Sequence, residues 1–138
     1  MVRTAVRTDI DQILRLDSSA EVGNSRRTVV RNAIDRGECL VALNNEMVVG
    51  YALMNQGFFE RGFVSLIYVD PTHRRHKIGS NLFDECESRC KSTRIFTSTN
   101  QSNLPMQGFL VSRGYVLSGK VQDLDEGDPE LFYSKRLR

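Results

Sequence analysis

The chain is predicted to fold as an α/β protein on a mixed sheet, and three observations predict it. Segments rich in β-branched and aromatic residues alternate with segments of helical apolar spacing, in the order β-α-α-β-β-β-α-β-α-β-β. Some of the strands follow one another through turn-sized gaps and others across a helix, so hairpins and crossovers must share one sheet. The composition, 40% hydrophobic and 26% charged, suits a packed globular core and excludes the disordered and fibrous classes. The 138 residues are about one domain long, and no repeat, low-complexity tract or Pro/Ser-rich linker divides them, so a single domain over 1–138 is expected.

"VRTAV" at 2–6 reads as a short strand. Thr8 then stands as the N-cap of "DIDQILRLD", where Ile10, Ile13, Leu14 and Leu16 supply an apolar face. "SRRTVVRNAIDRG" at 25–37 is a second helix, with Val29, Val30, Ala33 and Ile34 on one side and Gly37 as its stop. "ECLVALNNEMVVGYALMNQGFF" holds two strands around the turn "NNE"; a third, "GFVSLIYVD" at 62–70, returns through "ERG" and ends at Pro71. A helix from about Ile78 to Lys91 leads to the strand "RIFTST" at 94–99, which crossover geometry lays parallel to strand 62–70. In "SNLPMQGFLVSRGY", Ser102 or Asn103 caps a helix, Pro105 lies in the first turn where its missing N–H costs least, and Gly114 ends it. "YVLSGKV" and "ELFYSKRL" are the last strands, around the acidic, turn-rich "QDLDEGDP".

Charges interrupt "MVRTAVRTDIDQIL" before a secretory apolar region forms, and the longest apolar run, "MVVGYALM" at 47–54, is far short of a membrane span. A cytoplasmic protein with no membrane partner is expected. Three cysteines without framework spacing suit free thiols in a reducing compartment. Cys86 and Cys90 invite a metal reading with His73 or His76, but Ile78, Leu82, Cys86 and Cys90 fall in one i, i+4, i+8, i+12 row, the buried stripe of a helix. Cysteine acts there as a small hydrophobe, and no metal is expected.

The formal net charge of +2 is too small for a basic coat over the whole surface, so the distribution of charge matters more. It concentrates in "VDPTHRRHKIGSNLF" at 69–83. The first N–H groups of a helix lack intrahelical partners and sit at the positive end of the macrodipole, so a turn entering a helix attracts anions. Arg74, Arg75, His76 and Lys77 add charge there, Gly79 permits close backbone approach, and Ser80 offers a hydroxyl. Cations at a helix N-terminus oppose its dipole unless an anion compensates, and this mismatch favours a phosphate cradle over a merely solvated loop.

The segment fits neither a Walker loop nor a three-glycine dinucleotide fingerprint. It resembles the acetyl-CoA-binding motif of the GNAT superfamily of N-acetyltransferases, a strand ending in V-x-P followed by [QR]-x-x-G-x-[GA] at a helix start. The matching residues are Val69, Pro71, Arg74, Lys77 and Gly79, with Leu82 packing behind. "VRTAVRTDIDQILRL" resembles the family's opening strand and D-I-x-x-I-x-x-L helix, and "NEMVVGYALM" its hairpin strand. "NLPMQGFLVSRGY" is similar to its later N-x-x-A-x-x-F-Y-x-x-x-G-[FY] segment at Asn103, Phe109, Gly114 and Tyr115. The resemblance covers nearly the whole chain in order.

It implies a mixed, mostly antiparallel sheet with a central splayed parallel strand pair and flanking helices. It also implies acetyl-CoA as co-substrate. The strand carrying Ile67 and Val69 would bond the pantetheine arm through its backbone, and Arg74 with the N–H groups from Arg75 to Ser80 would hold the pyrophosphate. A strand N–H would polarise the thioester carbonyl. Asn103 would touch the pantetheine end or an ordered water, and Phe109 would wall the thiol channel; the plainer readings are an N-cap and a core aromatic. Two positions depart from the family pattern. Lys77 replaces its usual first glycine, and Leu110 replaces the tyrosine that protonates the leaving thiolate in many members. Tyr115, Tyr133 and Ser112 are substitutes for that acid, each with an ordinary structural reading. The family's glutamate base is also missing from strand 62–70, whose inward positions are assigned to Phe63, Ser65 and Ile67 or their neighbours. Glu60 is the nearest carboxylate, unless it is simply a solvated turn residue.

The function so implied is transfer of the acetyl group of acetyl-CoA directly to a primary amine. The alternative is a non-catalytic acyl-CoA-binding module of the same fold. Asp123, Asp125, Glu126, Asp128 and Glu130 point either to a cationic acceptor or to a solvated loop. Nucleic-acid binding ranks third, because the basic turn lacks interleaved aromatics. A homodimer is the default assembly.

Overall fold

A computed structural model describes residues 1–17, 25–74 and 77–138. In chain order they form β1 (Val2–Thr4), α1 (Ile10–Leu16), α2 (Ser25–Asp35), β2 (Cys39–Asn44), β3 (Met47–Phe58), β4 (Arg61–Val69), α3 (Ile78–Arg89), β5 (Arg94–Asn100), α4 (Leu104–Ser112), β6 (Val116–Val121) and β7 (Glu130–Arg136), with short 3₁₀ turns at Arg7–Asp9 and Pro71–His73. The strands bond in the order β1-β2-β3-β4-β5-β7-β6. β4 and β5 are parallel, while β1–β2, β2–β3, β5–β7 and β6–β7 are antiparallel. This is the mixed sheet with one parallel pair that the sequence predicted. The chain forms two compact units, Met1–Met54 with Leu66–Arg89, and Asn55–Ser65 with Cys90–Arg138.

In the first unit, Ile13, Val30, Val41 and Tyr51 are fully buried around the β1–β2–β3 strands, with Leu14, Leu16, Leu66 and Tyr68 packed against them. The predicted cap Thr8 does not cap. Thr8 lies inside the 3₁₀ turn, and the N-cap position of α1 falls on Asp9, whose side chain makes no capping bond to the helix. Its carboxylate instead ties the chain before the helix, accepting the Val6 amide at 2.8 Å and both Arg3 guanidinium nitrogens at 2.8 and 2.9 Å. A carboxylate satisfies several donors at once, and a threonine hydroxyl does not. Val29 also departs from expectation, at 50% exposed. Successive residues are about 100° apart round a helix, so burying the Val30, Ala33 and Ile34 row leaves Val29 on its flank. Gly37 ends α2 at φ +72, as predicted.

The β2–β3 turn places Asn45 and Glu46 at φ +51 and +67, the paired left-handed conformation of a two-residue hairpin that matches the strand twist. Four residues beyond Glu46, inside β3, Gly50 is required by space. A Cβ there would lie 3.0 Å from the Tyr68 carbonyl and 3.1 Å from Ile78 Cγ2, so glycine lets β3 approach both the end of β4 and the start of α3.

In the second unit, β5 alternates strictly, with Ile95, Thr97 and Thr99 buried and the residues between them half-buried. Thr97 Oγ1 donates to the Val64 carbonyl at 2.9 Å. β4 faces its core through Gly62 and Val64, whereas Phe63 is half-buried and Ser65 exposed, so of the two registers the sequence leaves open the inward one is that of the neighbours of Phe63 and Ser65. Gly62 rests directly on Cys90 Sγ, where any Cβ would overlap. The β3–β4 turn repeats the paired left-handed geometry at Phe59 and Glu60, φ +50 and +64.

All three cysteines are buried free thiols, and burial pushes the Cys39 thiol up to about 12. Among the described residues no helix is long and apolar enough to cross a membrane.

Candidate functional site

The basic segment forms a strand–turn–helix within the first unit. The Asp70 amide donates to the Val49 carbonyl at 2.8 Å, which fixes the exit of β4 against β3. The Asp70 side chain then organises the turn. It accepts the Thr72 amide at 3.3 Å and the Thr72 hydroxyl at 2.9 Å, and it lies 3.0 Å from His73 Nδ1. The hydrogen bond with His73 foremost, then those with Thr72, hold the Asp70 carboxyl below the usual carboxylate range. Sequence reasoning passed over this brace, although an Asp directly before a proline at a helix start is an N-cap signature.

Arg74 folds back instead of reaching outward. Its Nε donates to the Val69 carbonyl at 3.2 Å and its guanidinium carbon stands 5.9 Å from the centroid of the Tyr68 ring, a cation–π contact. Arg75 and His76 lie outside the described residues. Lys77 is exposed and adopts φ +62, a conformation that costs a side-chain-bearing residue free energy. Its carbonyl accepts the Asn81 amide at 2.9 Å, so α3 begins immediately after the left-handed residue. The first turn of α3, from Ile78, carries amide hydrogens that have no intrahelical partner. Leu82 and Cys86 anchor the helix in the core with no exposed surface. Ile67, Val69, Arg74, Lys77, Gly79 and Ser80 therefore belong to one local structure.

The remaining candidates belong to the second unit. Asn103 Oδ1 accepts the Met106 amide at 3.1 Å, so it caps α4. Phe109 is half-buried, with the Arg113 guanidinium 6.0 Å from its ring centroid. Leu110 has no exposed surface, Tyr115 and Tyr133 are buried, and Lys135 Nζ lies 5.6 Å from the Tyr115 ring centroid. Ser112 donates its hydroxyl to the Phe109 carbonyl at 2.7 Å. Glu60 is an exposed turn residue.

Three carboxylates of the acidic stretch hold neighbouring backbone and side chains in place. Asp128 accepts the Ser102 amide at 3.0 Å and its hydroxyl at 2.6 Å, Asp125 accepts the Asn100 amide nitrogen at 2.8 Å, and Glu130 accepts the Ser98 hydroxyl at 2.7 Å. Sequence reasoning also missed a buried triad in the first unit, where the Tyr51 hydroxyl and the Arg26 guanidinium both donate to Asp17 Oδ2. Burial raises the Tyr51 pKa, so the phenol stays a donor. Among the described residues no three His, Cys, Asp or Glu side chains converge on a metal position.

Comparison with known proteins bears on this geometry. Residues 7–115 match the acetyltransferase (GNAT) family. A GNAT-family acetyltransferase from Bacillus cereus ATCC 10987 is 37% identical, with 100% of this chain and 98% of that one covered at a TM-score of 0.91. Ard1 from Thermoplasma volcanium shares the fold at 16% identity, over 100% and 97% of the two chains, TM-score 0.88. So does yncA from Salmonella typhimurium, solved with its cofactor acetyl-CoA, at 18% identity over 100% and 94%, TM-score 0.77. A search of curated proteins finds no match. The family match extends from the 3₁₀ turn before α1 to Tyr115 and contains the whole β4–turn–α3 segment, and on it the chain belongs to the acetyltransferase (GNAT) family.

Proposed function

We propose that this chain binds acetyl-CoA through the β4–turn–α3 segment and transfers the acetyl group directly to a primary amine. The observation that carries the proposal is Lys77 at φ +62 on the threshold of α3. A left-handed residue directly before a helix lets the unpartnered N–H groups of the first helical turn converge on an anion, which suits a pyrophosphate. The α3 first turn and the Lys77 ammonium would hold the phosphates, and the β4 backbone at Ile67 and Val69 would bond the pantetheine arm as an added strand. Acetyl-CoA supplies the activated thioester. In the transfer a C–N bond forms as the C–S bond breaks, a β4 N–H stabilises charge on the carbonyl oxygen, and the amine proton leaves to water. No covalent enzyme intermediate is required.

One observation favours the second reading, a non-catalytic acyl-CoA-binding module: the position of the family's usual tyrosine is Leu110, which has no exposed surface. Two measurements separate the readings. CoA and acetyl-CoA should raise the melting temperature, by the equivalent of about 2.7 kcal/mol at a hundred times Kd. Free thiol should then appear from acetyl-CoA with at least one of a polyamine, an amino sugar and a lysine peptide. Stabilisation without thiol release for every amine establishes the module, and no stabilisation overturns both readings.

A further inference from the structure

The second unit carries a surface outside the β4–turn–α3 segment. Its less buried sheet face can be read from the strand registers: Phe96 stands beside Phe63 of β4 and Ser134 of β7, Ser134 beside Val116 of β6, and Ser98 beside Phe132. Phe58, from the end of β3, closes over these rings, with centroid distances of 4.8 Å to Phe63, 5.3 Å to Phe96 and 5.7 Å to Phe132. Phe59 meets Phe58 edge-on at 5.1 Å and is 80% exposed; Val116 is 57% exposed. Arginines border this apolar surface. Arg94 pairs across the strands with Arg136, two residues along from Phe96 on the same face, and Arg61 stands two residues before Phe63. Among the described residues none of these three forms an ion pair; Arg61 donates to the Phe59 carbonyl and Arg94 to the Ser134 hydroxyl.

We propose that this face docks a polypeptide segment in which acidic side chains flank apolar ones. Uncompensated arginines beside clustered aromatics are the composition of a protein-binding hot spot, and the charge selects an anionic partner. A second copy docked face to face would set arginines against arginines. Nucleic acid fits less well, because base stacking needs free ring faces. Phe58, Phe63 and Phe132 instead lie within 14° to 23° of parallel and stack on one another, and only Phe59 is open. The inference does not depend on acetyl transfer.

Fluorescence anisotropy tests it with three labelled probes: a peptide alternating Glu and Leu, the same peptide with Lys for Glu, and single-stranded oligouridylate. The Glu–Leu peptide should bind, more weakly as salt is added, and at least about ten-fold more weakly to Arg94→Glu/Arg136→Glu and to Phe59→Ser. Arg94→Lys/Arg136→Lys should retain most of the affinity, and all variants should keep the wild-type melting temperature and its shift with CoA. Failure of the Glu–Leu peptide to bind, equal binding by the charge-reversed variant, or tighter binding of the lysine peptide or of oligouridylate overturns the proposal. So does a concentration-dependent dimer in sedimentation that Phe59→Ser abolishes, which would assign the face to a second copy.

Discussion

Lys77 holds a left-handed backbone at φ +62 while its carbonyl accepts the Asn81 amide at 2.9 Å, so a strained residue is tied directly into the first turn of α3. This is the position at which the family pattern has glycine, and the lysine adopts glycine's geometry at a cost of roughly 1 kcal/mol. Lys77→Gly removes the strain but adds unfolded-chain freedom, so urea midpoints should show a change between neutral and about 1 kcal/mol more stable. Lys77→Val keeps a side chain and adds β-branching at positive φ, so it should lose about 1–2 kcal/mol. Titration with CoA separates the two contributions to binding. The glycine variant should lose only the few-fold contribution of one charge, and the valine variant should lose more.

Much of this arrangement was legible beforehand because its causes are local. Pro71 stops a strand, Asn103 caps and Gly114 ends a helix, and the "NNE" and "ERG" turns dictate hairpins; each acts within a few residues of itself. The features that escaped reading have distant partners. Tyr51 meets Asp17 and Arg26 across helix and strand, and Phe58 meets Phe132 only because the sheet brings the end of β3 and β7 onto one face. The inward face of β4 is left open between two registers by the sequence for the same reason. A run such as "GFVSLIYV" has apolar residues on both faces, and the partners of Gly62 and Val64, Cys90 and Thr97, decide between them.

Cys90 and Gly62 form a pair that tests the packing. A methyl at position 62 overlaps the Cys90 sulfur, so Gly62→Ala should destabilise by about 1–3 kcal/mol. Cys90→Ala alone leaves a small void and should cost about 1 kcal/mol. In the double variant the new methyl occupies part of the vacated space, so its loss should be smaller than the sum of the two, a non-additivity readable in a double-mutant cycle. Gly50→Ala has no such relief, because the nearest atom is the Tyr68 carbonyl at 3.0 Å. It should lose 1–3 kcal/mol and also weaken CoA binding, since it pushes β3 from the start of α3.

Acid sensitivity follows from three carboxyls held below their usual range. Asp9 is lowered foremost by its hydrogen bonds with Arg3, against burial, and then by the Val6 amide. Asp35 is lowered by Arg7, and Asp70 by His73 and then Thr72. A carboxyl whose folded pKa lies below its unfolded value, about 3.9, contributes its full stabilisation above that value and loses it as pH falls through the folded pKa. Stability governed by these groups should therefore be flat from neutral pH to about 5 and decline below about 4. Asp9→Asn should cost about 1–3 kcal/mol at pH 7, the scale of charge-assisted hydrogen bonds in a buried setting. That deficit should shrink as the pH drops below 4, because the wild-type carboxyl then loses the same charge. Thermal melts of both proteins between pH 2.5 and 7, on the scale set by the unfolded carboxylate pKa, measure this convergence.

In the proposed transfer the leaving thiolate must take up a proton. Leu110 has no exposed surface, Ser112 donates its hydroxyl to the backbone, and Tyr115 and Tyr133 are 2% and 5% exposed. A thiol of pKa about 8.5 leaves tolerably well near neutrality with water as the acid, so these geometries favour solvent protonation. Tyr115→Phe and Tyr133→Phe should each change kcat by no more than about two-fold, and Glu60→Gln should leave the pH profile of kcat/KM unmoved. A fall of about a hundred-fold in kcat for one tyrosine variant, at unchanged KM, assigns the acid to that residue instead. Leu110→Tyr cannot restore a family acid by simple exchange. The larger ring enters a filled core, so it should lower stability by about 1–3 kcal/mol without raising kcat. A gain in kcat from that variant would mean that the core around position 110 opens to the reacting sulfur.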